Sequence, residues 1–250
     1  MAMNPMEQFT IKPLVPLHLG GLDVSFTNQS LLMVIVVLAA SLFLTLAVKP
    51  GRLVPTRGQS MAELSYEFVA NMIHSSTGED GLKFFPFVFS LFIFVLLANF
   101  FGMVPGSFTI TSQIAVTFAL ASLVILAVIV TGFLKHGIGF LKLFVPHAPL
   151  PLLFLLVPIE VISFLTRPIS LSVRLFANML AGHTMLAVFG GFVVALGAAG
   201  GILSVLSIAP MLLIVAIMLL ELLVAFLQAY VFAILTCIYL NEALHLHDHH

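Results

Sequence analysis

The sequence predicts an all-α polytopic membrane protein. It has about five membrane-crossing helices and a surface amphipathic helix, and its last two crossings are long, strongly tilted and joined as a hairpin. Three observations lead there. Of 250 residues, 61% are hydrophobic and only 8% are charged, where soluble domains carry about 25% charged residues. Apolar stretches long enough to cross a hydrocarbon core of roughly 30 Å recur along the chain. The last two, residues 150–196 and 202–241, are too long to cross upright. The same composition excludes other classes. A net charge of −1 gives no electrostatic case for nucleic-acid binding. The single cysteine, Cys237, rules out an intrachain disulfide framework and reads as a small buried hydrophobe.

Residues 1–29 carry Pro5, Pro13, Pro16, Gly20 and Gly21 and read as an irregular extracytoplasmic segment. They lack the continuous apolar core of a signal peptide. Span one, residues 30–48, stops at Lys49-Pro50-Gly51-Arg52. In the polar region that follows, Ser60-x-x-Glu63 fits a capping box. Met61, Leu64, Phe68 and Met72 then recur at helical spacing, with Glu63, Glu67, Asn71 and His74 on other positions. Residues 60–75 therefore read as an amphipathic helix on the membrane surface, with His74 on its solvated face. Span two, residues 84–104, is rich in phenylalanine and ends at Pro105-Gly106; Asn99 inside it reads as a polar link between helices. The uncharged loop 105–112 leads into span three, residues 113–134, which closes at Lys135-His136-Gly137 before a loop to about Pro149.

From Leu150 the pattern changes. Residues 150–196 are interrupted only by Pro151, Pro158, Pro168 and a few polar side chains, and Gly197-Ala198-Ala199-Gly200-Gly201 is a turn signal. The stretch 202–241 has neither glycine nor proline after Pro210, so it cannot fold back on itself. Thirty-eight helical residues within it measure about 57 Å. Crossing the core at that length requires a tilt of roughly 60°, far above the usual value of about 20°. Residues 242–250 form a His-rich cytoplasmic tail. His245, His247, His249 and His250 could hold Zn²⁺ or Ni²⁺, but no second ligand cluster lies along a transport path, so the tail reads as solvated and no metal site is expected. Loops 49–83 and 135–149 hold six of the nine Lys and Arg residues, while 105–112 and 197–201 hold none. The positive-inside rule then puts the N-terminus outside and the C-terminus in the cytoplasm.

The ionisable residues of the last two helices are Glu160, Arg167, Arg174, His183 and Glu221. Arg174 has about twenty apolar-rich residues on its C-terminal side and cannot snorkel to a surface. An arginine in mid-membrane costs about 2.5–3.5 kcal/mol on insertion scales, and it cannot escape by losing its proton. Glu160, Arg167 and Arg174 are spaced by seven, on about one face, unless Pro168 disturbs the register. A static Glu160–Arg167 ion pair is one reading of them. Asn178 follows Arg174 by four residues, whereas His183 follows by nine and points the other way. Glu221 and Gln228 share a face of the final helix, and Glu221 can approach His183 across the hairpin. A histidine and a carboxylate at one depth form a proton relay or a static buried pair. A stand-alone secondary transporter or ion channel, with Arg174 binding an anion, is the alternative class. The lack of internal repeats and of glycine-broken helices argues against it.

The stretch Ser170-Leu-Ser-Val-Arg174-Leu-Phe-Ala-Asn178-Met179 resembles the signature of subunit a of the rotary F-type ATP synthase. The resemblance runs through Glu160, His183, Glu221, Gln228 and the Pro5-Met-Glu-Gln-Phe9 opening, and covers essentially the whole chain. Many bacterial members place Glu where His183 stands and His where Glu221 stands. The exchanged pair is similar to alphaproteobacterial and mitochondrial forms. The resemblance implies a non-catalytic, proton-translocating subunit of the membrane sector, without cofactor. Arg174 would face a ring of c subunits with Asn178 and Gln228 nearby, His183 and Glu221 would serve the entry half-channel, and Glu160 would lie by the cytoplasmic one. Its implied partners are that c ring, peripheral-stalk b subunits and, indirectly, the F1 catalytic sector. This fits the absence of any G-x-x-x-x-G-K-[ST] motif here. Length and the N-terminal resemblance favour a bacterial inner membrane over a mitochondrial one.

Overall fold

The structure, a computed structural model, describes residues 10–16, 18–19, 22–23, 25–47, 56–104, 108–144 and 150–245. The opening 5–9, Lys49, Arg52, Pro105, Gly106 and the tail histidines His247, His249 and His250 lie outside the described residues. Four short strands come first, β1 (Pro13–Val15), β2 (His18–Leu19), β3 (Leu22–Asp23) and β4 (Phe26–Thr27). The helices are α1 (Asn28–Ala47), α2 (Arg57–Thr77), α3 (Phe85–Gly102), α4 (Ile114–His136), α5 (Leu150–Ala199), α6 (Gly201–Leu206) and α7 (Ile208–Leu244). Short 3-10 helices occupy Glu79–Phe84, Ile110–Ser112 and Gly137–Phe144.

Among the described residues, five helical stretches are long and apolar enough to cross a membrane. They are Asn28–Ala47, Glu79–Gly102, Ile114–Leu141, Leu152–Ala199 and Ser204–Leu244. Large apolar side chains such as Leu38, Leu126, Leu134 and Phe154 lie exposed on them. Lipid-facing surfaces have this character, because every backbone polar group is satisfied within its own helix. The protein is a multi-pass, all-α membrane protein. At 50 and 37 residues, α5 and α7 measure about 75 and 56 Å, so neither fits upright in the core. Helix α5 runs unbroken through Pro158 and Pro168, so the register from Glu160 to Arg174 is kept.

Several boundaries differ from the sequence expectation, each for a local reason. The described residues between 10 and 27 include paired strands. β1 pairs antiparallel with β4 and β2 with β3, and Asn28 ties the ribbon to α1. Its side chain accepts from Lys12 N at 3.1 Å and donates to Thr10 O at 3.3 Å. Helix α2 begins before residue 60. Thr56 is its cap, with Oγ1 accepting from Gln59 N at 3.4 Å, and Gln59 Nε2 donates to Glu63 Oε1 at 2.8 Å. The Thr56-x-x-Gln59 pattern outcompetes Ser60-x-x-Glu63, because Ser60 N is already bonded to Thr56 O. The buried face of α2 is Ala62, Val69, Met72 and Ile73, while Met61 and Leu64 stay exposed. The loop expected after His136 is instead a 3-10 turn, whose Phe140 ring rests against Gly132 where a Cβ would stand. The stretch 202–241 is two helices. Pro210 has no N–H to give Leu206 O, and Ser207 closes the turn by bonding to Ser204 through both N and Oγ. The reversal itself falls at Gly200 and Gly201, with φ of 70° and 61°, a region glycine enters without steric cost.

The chain divides into two compact units. The first comprises Met1–Phe43, Ile93–Gln113 and Leu175–Ala229; the second comprises Leu44–Phe92, Ile114–Arg174 and Tyr230–His250. In the first, buried Asn99 donates to Ala225 O at 3.1 Å, joining α3 to α7 as a polar link. In the second, Thr77 Oγ1 donates to Cys237 O at 3.3 Å, and buried Thr117 and Ser172 share a hydrogen bond of 3.2 Å. Asp80 lies 3.4 Å from Lys135 and 3.9 Å from Lys83. His74 is exposed and meets Glu79 at 3.2 Å.

Candidate functional site

In the first unit, the segment of α5 after Leu175 and the part of α7 up to Ala229 bring His183 and Glu221 together. His183 Nε2 lies 3.5 Å from Glu221 Oε1, with both residues buried. Gly182 makes that approach possible. A Cβ on it would sit 2.7 Å from Glu221 Oε1 and 3.1 Å from its Cδ. Gly182→Ala is therefore expected to displace the flexible carboxyl end from His183 with little loss of folding. A fall of roughly tenfold in any activity that depends on the pair is expected, at unchanged protein level; an unaffected rate would show that the contact is dispensable.

A third side chain completes this group. Thr109 Oγ1 lies 3.2 Å from His183 Nε2 and 3.4 Å from Gly102 O. It belongs to a segment whose Thr109, Ile110, Thr111 and Ser112 are all buried, with Ser112 Oγ bonded to Thr109 O at 2.7 Å. Sequence reasoning treated residues 105–112 as an uncharged loop and missed Thr109. The available signal was the run of hydroxyl residues Ser107, Thr109, Thr111 and Ser112 between two spans. Among the described residues, buried oxygens without a hydrogen-bond partner occur in the same unit: Asn99 Oδ1, Thr111 Oγ1 and the Glu221 carboxylate, whose Oε1 has the His183 ring at 3.5 Å and whose Oε2 has no such neighbour. Such groups are normally satisfied by ordered water, so the unit has the polar lining that water entry into a membrane interior requires.

Asn178 and Gln228 also belong to the first unit and are half-buried. Gln228 stands two turns after Glu221 on α7.

Arg174 ends the α5 segment of the second unit and is exposed. Among the described residues it makes no ion pair. An exposed, permanently charged guanidinium on a membrane helix is costly unless something outside this chain, or water, meets it. Glu160 is half-buried on α5 and does not pair with Arg167. Arg167 reaches Glu242 on α7 instead, and its guanidinium lies 5.0 Å from the Tyr239 ring centre and 5.6 Å from that of Phe164. Glu242 was overlooked because it sits at the end of the last helix, beside the His-rich tail. Among the described residues, no group of three or more His, Cys, Asp and Glu could hold a metal ion; His245 bonds to Asn241 at 2.8 Å.

The family model described as "ATP synthase A chain" matches residues 30–241. The chain is 61% identical over 244 residues to the ATP synthase subunit a of Mesorhizobium japonicum, covering 97% of each chain. It is 62% identical over 246 residues to that of a Chelativorans species, covering 98% of this chain and 99% of the relative. Against the Sinorhizobium medicae subunit a the identity is 59% over 250 residues, the full length of both. The chain belongs to the ATP synthase A chain family.

Proposed function

We propose that this chain is the stator of the membrane sector, providing two offset half-channels to a c ring and coupling proton flow to ring rotation and ATP synthesis. The observation that carries the reading is Arg174: exposed, permanently charged and without an ion-pair partner among the described residues, on a helix too long to cross the membrane upright. Such a residue fits a surface completed by another subunit. The buried His183–Glu221 pair and the water-demanding oxygens around it support an entry half-channel. Glu160 serves the cytoplasmic half-channel, and Asn178 and Gln228 are the further polar groups of the proton path.

In this mechanism a proton entering through His183 and Glu221 neutralises a ring carboxylate. Neutralisation removes the cost of exposing that carboxylate to lipid, and the ring can turn. On returning to Arg174, the fixed cation favours the ionised carboxylate and the proton leaves inward. Arg174 carries no proton itself and so separates the half-channels. The long tilted helices follow the curved ring. Peripheral-stalk b subunits would anchor the chain, the F1 sector would do the ATP chemistry, and the assembly would sit in a bacterial inner membrane with the N-terminus outside.

Purification of the tagged chain from its own membrane under mild detergent tests the reading. A ring of small two-helix subunits is expected to co-purify. A chain that purifies alone, and that alone in liposomes gives saturable solute uptake, would instead be a transporter.

A further inference from the structure

We propose that Thr109 is a third member of the His183–Glu221 relay: a positioning hydroxyl that changes partner with the protonation state of His183. The proposal rests on the reading of that pair as proton-handling groups. Four atoms carry it. Thr109 Oγ1 is 3.2 Å from His183 Nε2 and 3.4 Å from Gly102 O, and Nε2 is 3.5 Å from Glu221 Oε1. The three residues are 3%, 9% and 5% exposed, so bulk water cannot substitute freely for any partner. Gly102 lets the backbone come this close, since a Cβ there would lie 2.8 Å from Thr109 Cγ2.

A neutral imidazole has one N–H donor and one lone pair, whereas a hydroxyl both donates and accepts and can rotate. With Nε2 unprotonated, the Thr109 hydroxyl donates to its lone pair. When Nε2 takes up a proton, the new N–H needs an acceptor. The hydroxyl then turns its hydrogen to Gly102 O and offers its oxygen to Nε2–H. The proton next moves to Glu221: the Nε2–H bond breaks, an O–H bond forms at Oε1, and an imidazolium–carboxylate pair becomes a neutral pair. Nε2 regains its lone pair and Thr109 turns back. Thr109 keeps its bond to the imidazole throughout the cycle and never changes charge. Glu221 is the titratable group that faces His183 from α7, and the segment between α3 and α4 presents the non-ionising Thr109. On α5 itself the nearest charge in sequence is Arg174, nine residues earlier.

The test uses the assembled complex in sealed vesicles, with ATP synthesis driven by an imposed proton gradient and read against pH on the entry side. Thr109→Val keeps the shape without the hydroxyl, and Thr109→Ala is its less bulky counterpart. Each is expected to lower the rate roughly tenfold and to move the pH profile, while Thr109→Ser restores most of both. A valine variant with the parent's rate and profile overturns the proposal. So does a loss of rate without a shift in profile, or assembly that fails with valine and alanine but succeeds with serine, since either makes Thr109 a packing residue. His183→Gln and Glu221→Gln run alongside. If they too keep the parent's rate, the proton-handling reading fails; if only the Thr109 variants do, this assignment alone fails.

Discussion

Under the proposed function, Arg174→Ala is expected to abolish proton-driven ATP synthesis in the assembled complex and to leave the vesicles permeable to protons. Both effects follow from one missing charge. A guanidinium about 4 Å from a ring carboxylate, at an effective dielectric constant of about 20, favours its ionised form by about 4 kcal/mol, or about three pKa units. Without it, a carboxylate in apolar surroundings holds its proton on arriving at the exit, and release slows by a factor on the order of 10³. The second effect is a shunt. With no fixed cation between the half-channels, protons pass without turning the ring, and each takes with it the roughly 2.3 kcal/mol that a 100 mV potential supplies. Arg174→Lys is the informative companion. A lysine in low-dielectric surroundings can shed its proton, which arginine cannot, so it is expected to leak as well. Synthesis rate and passive proton permeability in the same vesicles check both variants. Full coupling in Arg174→Ala would remove the arginine from the mechanism.

The crossings, the paired long helices and the polar residues on them were legible because they violate strong rules. A chain with 8% charged residues has no soluble fold available, and Arg174, His183 and Glu221 stand out against apolar surroundings that penalise each of them. The meeting of His183 with Glu221 was readable from depth, since the hairpin fixes which turns of α5 and α7 can face each other. What escaped depended on competition between equally ordinary signals. Two capping patterns overlap at 56–63, and the earlier one wins because its threonine bonds first to the turn that Ser60 would have opened. Thr109 escaped for a different reason. Hydroxyls are common between membrane spans, and only tertiary structure distinguishes one that touches an imidazole from one that bonds to its own turn, as Ser112 does. Arg167 had a candidate partner two turns earlier on about the same face in Glu160, but the acid that reaches it, Glu242, is 75 residues distant. Sequence spacing carries no information about that choice.

Glu221→Gln is expected to lower proton-driven synthesis by roughly a hundredfold, the lower range for removing a positioned proton-transfer group, yet to leave the vesicles tight. Glutamine preserves the size of the side chain and its fit beside Gly182 but cannot take a proton from His183, whose Nε2 lies 3.5 Å from the carboxyl oxygen. The barrier at Arg174 remains, so entry is blocked without opening a leak, and the two single variants are told apart by permeability alone. The pair offers a further step. Exchanging its members, His183→Glu with Glu221→His, keeps one acid and one imidazole at the same two buried positions. The relay requires only that the two groups hand a proton between them, so the exchanged pair is expected to recover part of the rate that either single substitution loses. That recovery is a coupling energy in the sense of a double-mutant cycle, and residues that act independently do not show it. A double variant no faster than the product of the singles would mean that His183 and Glu221 pass protons separately, and their contact would then be packing rather than relay.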